Sequence, residues 1–225
     1  TTNNLLTNSG TINYLTNNGQ FYLSRGSTGT IVNLTAGNIR STLGSIGDLT
    51  NYGSITLTGS STLNVTNEQN ATLKTLSSSI NGSFDNSGLA QLSATPVVDG
   101  VTNQASGTFS TNSAIGSDVA NYGTFNLNGT AKVTGNVVNH SGTLTLSGSG
   151  VYIIGNLNAV GGTFNVVNGM VDSLSGSANG TVSGTLVINK PTNTDYSGVM
   201  SGGGSVSIAS GVQSLSGQNT YTGMT

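Results

Sequence analysis

Three short segments of the sequence decide the fold: GTFNL at residues 123–127, GTLTL at 142–146 and GTFNV at 162–166. Each segment begins with Gly and Thr and then alternates apolar and polar side chains. Alternation with a period of two is typical of a β-strand that buries one face. The segments begin 19 and 20 residues apart, so the same strand returns at a nearly constant interval.

Weaker copies of this segment extend the repeat over most of the chain. They begin at Gly10, Gly29, Gly53, Ala71, Gly88, Gly107, Gly184 and Gly204. A unit of about 19 residues cannot bury its apolar face alone, but stacked units can pair strand on strand and share a core. The sequence therefore predicts an all-β fold, a parallel β-helix (a solenoid) of about eleven coils that forms one domain over residues 1–225. Each coil should hold two or three short strands.

The composition argues against several other classes. Charged residues make up 5% of the 225-residue chain, and the formal net charge is −2. Five cations cannot form the basic face that nucleic-acid binding needs, and so small a net charge does not favour a disordered chain. Without Cys there are no disulfides and no thiolate metal sites. No apolar run approaches the ~20 residues of a membrane helix, and residues 1–10 lack the pattern of a signal peptide.

The alternation also predicts two outward columns of neutral polar side chains. The first contains hydroxyls, at Thr11, Ser54, Thr72, Thr108, Thr124, Thr143, Thr163, Thr185 and Ser205. The second contains Asn13, Thr56, Ser110, Asn126, Thr145, Asn165 and Ser207. Such a face could bind a partner through many hydrogen bonds of ~1 kcal/mol each. Solubility and the strand propensity of Thr explain the same pattern without a ligand.

A second pattern, Asn-x-Gly or a longer form of it, precedes several strands. It begins at Asn8, Asn51, Asn86, Asn121 and Asn139. Because Asn and Gly adopt left-handed backbone angles readily, we expect these residues to turn the corners between strands. Tyr52, Tyr122 and His140 belong to these corners and are expected at the surface.

The C-terminal residues carry a more specific motif. Residues 196–206 read YSGVMSGGGSV, and residues 215–225 read LSGQNTYTGMT. Over about thirty residues the sequence resembles the autotransporter-associated β-strand repeat, in which Ser-Gly-x-Gly leads to Leu-x-Gly-x-Asn-Thr-Tyr-Thr-Gly. The resemblance implies a bacterial passenger domain with a right-handed β-helix, exported through an outer-membrane β-barrel. It also implies a place at the cell surface or in the medium, and a role in adhesion, self-association or biofilm formation.

The sequence offers little for catalysis. A Ser-His-Asp triad would have to use His140, the only histidine. The acidic residues are scattered along the chain, whereas a glycosidase needs two carboxylates in one cleft. Arg25 and Arg40 are the candidate bases for a calcium-dependent polysaccharide lyase, an activity that other parallel β-helices host. We predict no catalytic residue, no metal, no cofactor and no enzymatic activity.

We therefore interpret the chain as an adhesin passenger that contacts another copy of itself, or a host or matrix glycan or protein, without inserting into a membrane. The candidate contact residues are Thr56, Asn126, Thr145, Asn165, Tyr52, Tyr122 and His140. The alternatives are a lyase-like enzyme on the same fold and a passive stalk that displays another domain. Regular Thr columns also suggest ice binding, although the columns mix Thr with Ser, Asn and Lys.

Overall fold

The structure is a computed structural model that describes residues 10–225. These residues form strands and turns and contain no helix. The strands are β1 (Thr11–Asn17), β2 (Gln20–Ser24), β3 (Ser27–Asn33), β4 (Asn38–Thr42), β5 (Ser45–Ile46), β6 (Leu49–Asn51), β7 (Ser54–Thr58), β8 (Ser61–Thr62), β9 (Val65–Asn67), β10 (Thr72–Leu76), β11 (Ser79–Ile80), β12 (Phe84–Asn86), β13 (Leu89–Ser93), β14 (Val101–Asn103), β15 (Thr108–Thr111), β16 (Ala114–Ile115), β17 (Val119–Asn121), β18 (Thr124–Asn128), β19 (Lys132–Val133), β20 (Val137–Asn139), β21 (Thr143–Ala159), β22 (Thr163–Gly176), β23 (Asn179–Ile188), β24 (Thr192–Tyr196), β25 (Met200–Ser201), β26 (Ser205–Ile208) and β27 (Val212–Leu215). In this part of the chain no helix is long and apolar enough to cross a membrane.

Every strand pairing is parallel and joins one coil to the next, which confirms the predicted β-solenoid of about eleven coils. A coil passes through three strand positions, which we call faces 1, 2 and 3. In the fourth coil, for example, face 1 is β10, face 2 is β11 and face 3 is β12. Coils are numbered from β2, so coil 1 begins at Gln20 and coil 11 at Met200. Corner 1 joins faces 1 and 2, corner 2 joins faces 2 and 3, and corner 3 leads to the next coil.

The core is a narrow apolar column enclosed by the three faces. On face 1, Ile55, Leu73, Ala90, Phe109 and Phe125 follow one another on successive coils and are fully buried. The rings of Phe109 and Phe125 stack with centroids 4.8 Å apart. Burial of each large apolar side chain contributes roughly 1.5–3 kcal/mol. Because each coil adds such side chains above like ones, the repeat itself builds the core.

A ladder of buried asparagines runs along the end of face 3. Its members are Asn17, Asn33, Asn51, Asn67, Asn86, Asn103, Asn121 and Asn139. In the first seven, Nδ2 donates to the Oδ1 of the asparagine one coil on, at 2.7–2.8 Å, and Nδ2 of Asn139 donates to the carbonyls of Gly161 and Thr163. The prediction that Asn51, Asn86, Asn121 and Asn139 turn corners with left-handed backbone angles is wrong, since none of them has a positive φ. Their side-chain amides instead form hydrogen bonds with backbone groups of corner 3 from the interior of the solenoid. Asn8 lies outside the described residues.

Of the glycines in the predicted corners, Gly142 has a left-handed backbone, with a φ of 68°, whereas Gly53, Gly88 and Gly123 do not. Left-handed backbone recurs at corner 1, mostly at residues other than glycine. On successive coils the corner residues Arg25, Leu43, Gly59, Ser77 and Ala94 have φ between 47° and 58°. Four of these N–H groups donate to a carbonyl one coil on, and the N–H of Ala94 donates to Oδ1 of Asn112. Coil stacking thus holds residues other than glycine in a left-handed backbone conformation that they normally avoid.

A second buried ladder lies directly behind corner 1. Each hydroxyl in it accepts the N–H of the equivalent residue of the preceding coil, at 2.7–3.3 Å. The hydroxyls belong to Ser60, Ser78, Thr95 and Ser113. In the first three, the hydroxyl also donates to the carbonyl two residues earlier. Small hydroxyl side chains therefore fit this position, because those of Ser60, Ser78 and Thr95 each satisfy two backbone groups at a tight bend.

The last coils replace the asparagine ladder. Register leads from Asn139 to Ala159, Gly176 and then Tyr196. Tyr196 is fully buried, its hydroxyl donates to the carbonyl of Ala178 at 2.7 Å, and burial raises its pKa. The strands are longer here, since β21 and β22 run through two corners each.

The predicted outward columns are wrong at their ends. Thr11 pairs with Ser27 on face 2, and Asn13 lies within the same strand, β1. Thr185 and Ser205 pair with each other near corner 1, and Ser207 lies on face 2. The physical reason is that all three faces alternate apolar and polar residues, so the five-residue motif matches strands of different faces equally well.

Candidate functional site: the outward side of face 1

Face 1 presents two parallel columns of side chains to solvent. The first contains Gln20, Asn38, Ser54, Thr72, Leu89, Thr108, Thr124, Thr143, Thr163 and Asn179. The second contains Tyr22, Arg40, Thr56, Lys74, Gln91, Ser110, Asn126, Thr145, Asn165, Thr181 and Ser201. From coil 6 onward every member of both columns is a neutral Ser, Thr or Asn. Parallel stacking repeats these groups about every 4.8 Å along the axis.

The structure brings three of the predicted contact residues together. Asn126 pairs with Thr145, and Thr145 pairs with Asn165, so the three side chains occupy one column on successive coils. All three are half-exposed. Thr56 belongs to the same column but lies four coils away, with Lys74 among the residues between. The column is therefore continuous, but these four residues do not form one compact site.

Few of these polar groups are occupied within the chain. Thr143 and Thr163 are 3.4 Å apart at Oγ1. The side chains of Asn126, Thr145 and Asn165 make no hydrogen bond to another described residue. These three side chains are thus free to bond to an external surface, whereas the hydroxyls of Ser110 and Ser201 in the same column bond within the chain.

The predicted aromatic residues lie at corner 3, away from these columns. Tyr122 and His140 occupy the same corner position on successive coils, and their rings stack with centroids 4.5 Å apart and planes 3° apart. Tyr52 has the same position four coils earlier, where 41% of its surface is exposed. The structure therefore pairs Tyr122 with His140 and separates Tyr52 from both. The stack covers one face of each ring.

Sequence reasoning missed one polar cluster. On coils 8 to 10 the Tyr152 hydroxyl donates to the carboxylate of Asp172, and Nδ2 of Asn189 donates to both, at 2.9 Å and 3.3 Å. Burial raises the pKa of Tyr152, and the carboxylate of Asp172 raises it further. The three residues are 20 and 17 positions apart, so the coil spacing could have revealed them. The cluster ties three coils together.

The described residues bring no potential metal ligands together, since no three His, Asp or Glu side chains form a group between residues 10 and 225. Arg25 lies at corner 1 and Arg40 on face 1, and neither forms an ion pair within the described chain. What the outward side of face 1 can do chemically is donate and accept hydrogen bonds at regular intervals.

Comparisons with known proteins found no matching family model, no matching curated protein and no matching solved structure.

Proposed function

We propose that the chain is a rigid adhesive rod, of the kind found in autotransporter passengers, which holds cells together or attaches them to a matrix through the outward side of face 1. The resemblance of residues 196–225 to the autotransporter-associated β-strand repeat supports the passenger assignment. The bacterial cell surface is the location that this assignment predicts.

The observation that carries the adhesive role is the unoccupied column at Asn126, Thr145 and Asn165. The column is neutral, so two such surfaces approach without long-range repulsion. A single hydrogen bond contributes only ~1 kcal/mol. A column that repeats the same contact on each coil gains affinity by multiplicity.

The conformation of the C-terminal motif fits a solenoid passenger. The N–H groups of Thr220 and Thr222 donate to the carbonyls of Met200 and Gly202, and Oδ1 of Asn219 accepts the N–H of Met200. The Asn-Thr-Tyr-Thr-Gly segment therefore stacks against β25, the face 1 strand of coil 11, and begins another coil.

The test is aggregation of beads that carry the purified chain. We expect the double substitution Asn126→Glu and Asn165→Glu to abolish aggregation, because it places negative charge on both partners of any face-to-face contact. The control is Thr134→Glu, an exposed position of the same coil as Asn126 but beyond face 2. Circular dichroism should be the same for all three proteins. Undiminished aggregation of the double variant would remove face 1 from the proposal.

The same beads distinguish the two kinds of partner. Aggregation of beads with each other supports contact between copies of the chain. If they bind only to surfaces coated with polysaccharide, and the double variant does not, the proposal stands with a glycan as the partner.

A further inference from the structure

The charged side chains are sorted by face. Every acidic residue lies on face 3 or at one of the two corners beside it: Asp48, Glu68, Asp85, Asp99, Asp118, Asp172 and Asp195. Four of the five basic residues lie on face 1, at corner 1 or on face 2: Arg25, Arg40, Lys74 and Lys132. Lys190, at corner 2, is the exception. No ion pair joins any two of the described residues, so both sets of charges remain available to a partner.

The basic side of this arrangement contains a spaced pair. Arg40 and Lys74 occupy the second outward column of face 1, and Thr56 pairs with both of them. Two coils therefore separate the two cations, or about 10 Å along the axis. Both side chains are exposed and can extend from the sheet.

The acidic side contains a groove of about 520 Å³ on the outward side of face 3. Asp85 and Asp118 line it, and Ala120 and Val138 form part of its floor. Asp85 pairs with Thr102, which pairs with Ala120, two residues after Asp118. The two carboxylates are therefore also two coils apart along the axis, like Arg40 and Lys74, although Asp118 is displaced by two residues, about 7 Å, along the strand direction. The long, flexible side chains of Arg40 and Lys74 can span this displacement.

Each of these carboxylates has one oxygen to spare. Oδ1 of Asp85 accepts Nε2 of Gln104 at 2.9 Å, and Oδ1 of Asp118 accepts the N–H of Asn136 at 2.7 Å. Neither Oδ2 has a partner within the described chain. The apolar floor suits the aliphatic stems of Lys and Arg, which bury their methylenes while the charged ends reach the carboxylates.

We propose that a second copy of the chain docks its Arg40 and Lys74 into the Asp85–Asp118 groove. This inference rests on the proposed function, since it specifies how two rods meet side by side. The contact joins two different surfaces, so each docked copy keeps a free groove and a free basic pair. A contact of this type builds rings or open rows of rods, not closed two-fold dimers.

The charges set the salt dependence of this assembly. Exposed ion pairs weaken as salt is added, and salt at ~0.1 M screens charges beyond ~10 Å. We therefore expect the mean mass of the purified chain, measured by sedimentation, to rise with protein concentration at ~0.02 M NaCl and to fall to that of the monomer at ~0.5 M NaCl.

Charge reversal tests the pairing directly. The variant Arg40→Glu/Lys74→Glu should remain monomeric at low salt, and so should Asp85→Lys/Asp118→Lys. A mixture of the two variants should assemble again, because each face of one then complements a face of the other. Lys132→Glu, a reversal on face 2, is the control and should assemble like the unmodified chain. Recovery in the mixture also shows that both variants are folded.

Other outcomes would overturn the inference. Assembly that does not depend on salt, or that persists in Arg40→Glu/Lys74→Glu, would contradict it. If the same assembly is lost in Asn126→Glu/Asn165→Glu, the neutral column mediates it, so the proposed function stands and the charged contact is wrong. If the unmodified chain stays monomeric at every salt and does not aggregate on beads, both proposals fail for contact between copies.

Discussion

At the scale of single residues, the buried asparagine ladder links successive coils through fully satisfied amides. Asn103 is fully buried, and its Nδ2 donates to Oδ1 of Asn121 at 2.8 Å and to the carbonyls of Gly107 and Thr124 at 3.2 Å and 3.0 Å. Its own Oδ1 accepts Nδ2 of Asn86 at 2.8 Å. A buried polar group that loses its partner costs roughly 1–3 kcal/mol.

We therefore expect Asn103→Ala to lower the free energy of unfolding by about 2–4 kcal/mol, because it deprives groups on both neighbouring coils of a partner. Urea denaturation followed by circular dichroism measures this change. The control is Asn158→Ala, since Asn158 points outward on face 3 and its side chain makes no bond within the described chain. Equal losses for the two variants would show that the ladder adds nothing beyond ordinary surface asparagines.

At the scale of an element, corner 1 contains residues other than glycine whose backbone is left-handed. Leu43 has a φ of 57°, and 53% of its side chain is exposed. The strained backbone at Leu43 is therefore offset by little burial of its side chain, whereas glycine adopts the same angles without strain. The equivalent residue of the next coil is already glycine, Gly59, with a φ of 58°.

Replacing Leu43 with Gly should accordingly raise the free energy of unfolding, by about 0.5–1 kcal/mol. Leu63→Gly provides the matched control: Leu63 is 52% exposed at corner 2, and its φ is not positive. Glycine there removes the buried part of the side chain and increases the entropy of the unfolded chain without relieving any strain, so the control should lose stability. Thermal melts of both variants measure the difference, and a loss in both would refute the strain at corner 1.

The elements also show how far the sequence predicts this structure. The period-two alternation of GTFNL, GTLTL and GTFNV identifies strands that do stack in register on face 1, and Asn126, Thr145 and Asn165 do share a column. The assignment of strands to faces does not follow from the alternation, because all three faces follow the same rule. The solenoid as a whole is thus more predictable than the phase of each strand within it.

The asparagine ladder illustrates why polar residues mislead at this level. Asparagine next to glycine is typical of an exposed turn, yet these asparagines are buried because each supplies a donor and an acceptor to its neighbours. Each ladder asparagine follows an apolar residue two positions earlier, as in Val65-Thr-Asn67, Val101-Thr-Asn103 and Val137-Val-Asn139. However, Asn156, Asn168 and Asn189 share this pattern outside the ladder, so the pattern alone does not identify it. The sequence does not predict the separation of acidic and basic residues between faces for a similar reason, since residues far apart along the chain meet only through the coil register.

At the scale of the whole molecule, strand pairing joins each coil only to the coils before and after it, and the side chains of Asn189 and Gln213 are those of the described residues that bond to a coil two away. Stability in such an array is close to a sum of coil and interface contributions, so one complete coil can be removed if its two neighbours fit each other. Residues 108–123 form one repeat, and both Thr108 and Thr124 follow a glycine. After their removal Phe125 follows Ala90 in the core column, where it now follows Phe109. Asn139 likewise follows Asn103 in the asparagine ladder, where it now follows Asn121.

We therefore expect the chain without residues 108–123 to fold into a solenoid shorter by about 4.8 Å, with an unchanged β-sheet spectrum and a cooperative unfolding transition. Small-angle scattering measures the length, and circular dichroism measures the fold. Removal of residues 108–115, about half a coil, is the control: it deletes β15 and β16, so that face 3 of coil 5 is followed directly by face 3 of coil 6. Every later column is then out of register, and the chain should not fold. If both deletions unfold the chain alike, stacking of independent coils does not describe its stability. If both fold, the side-chain columns do not set the register of the solenoid.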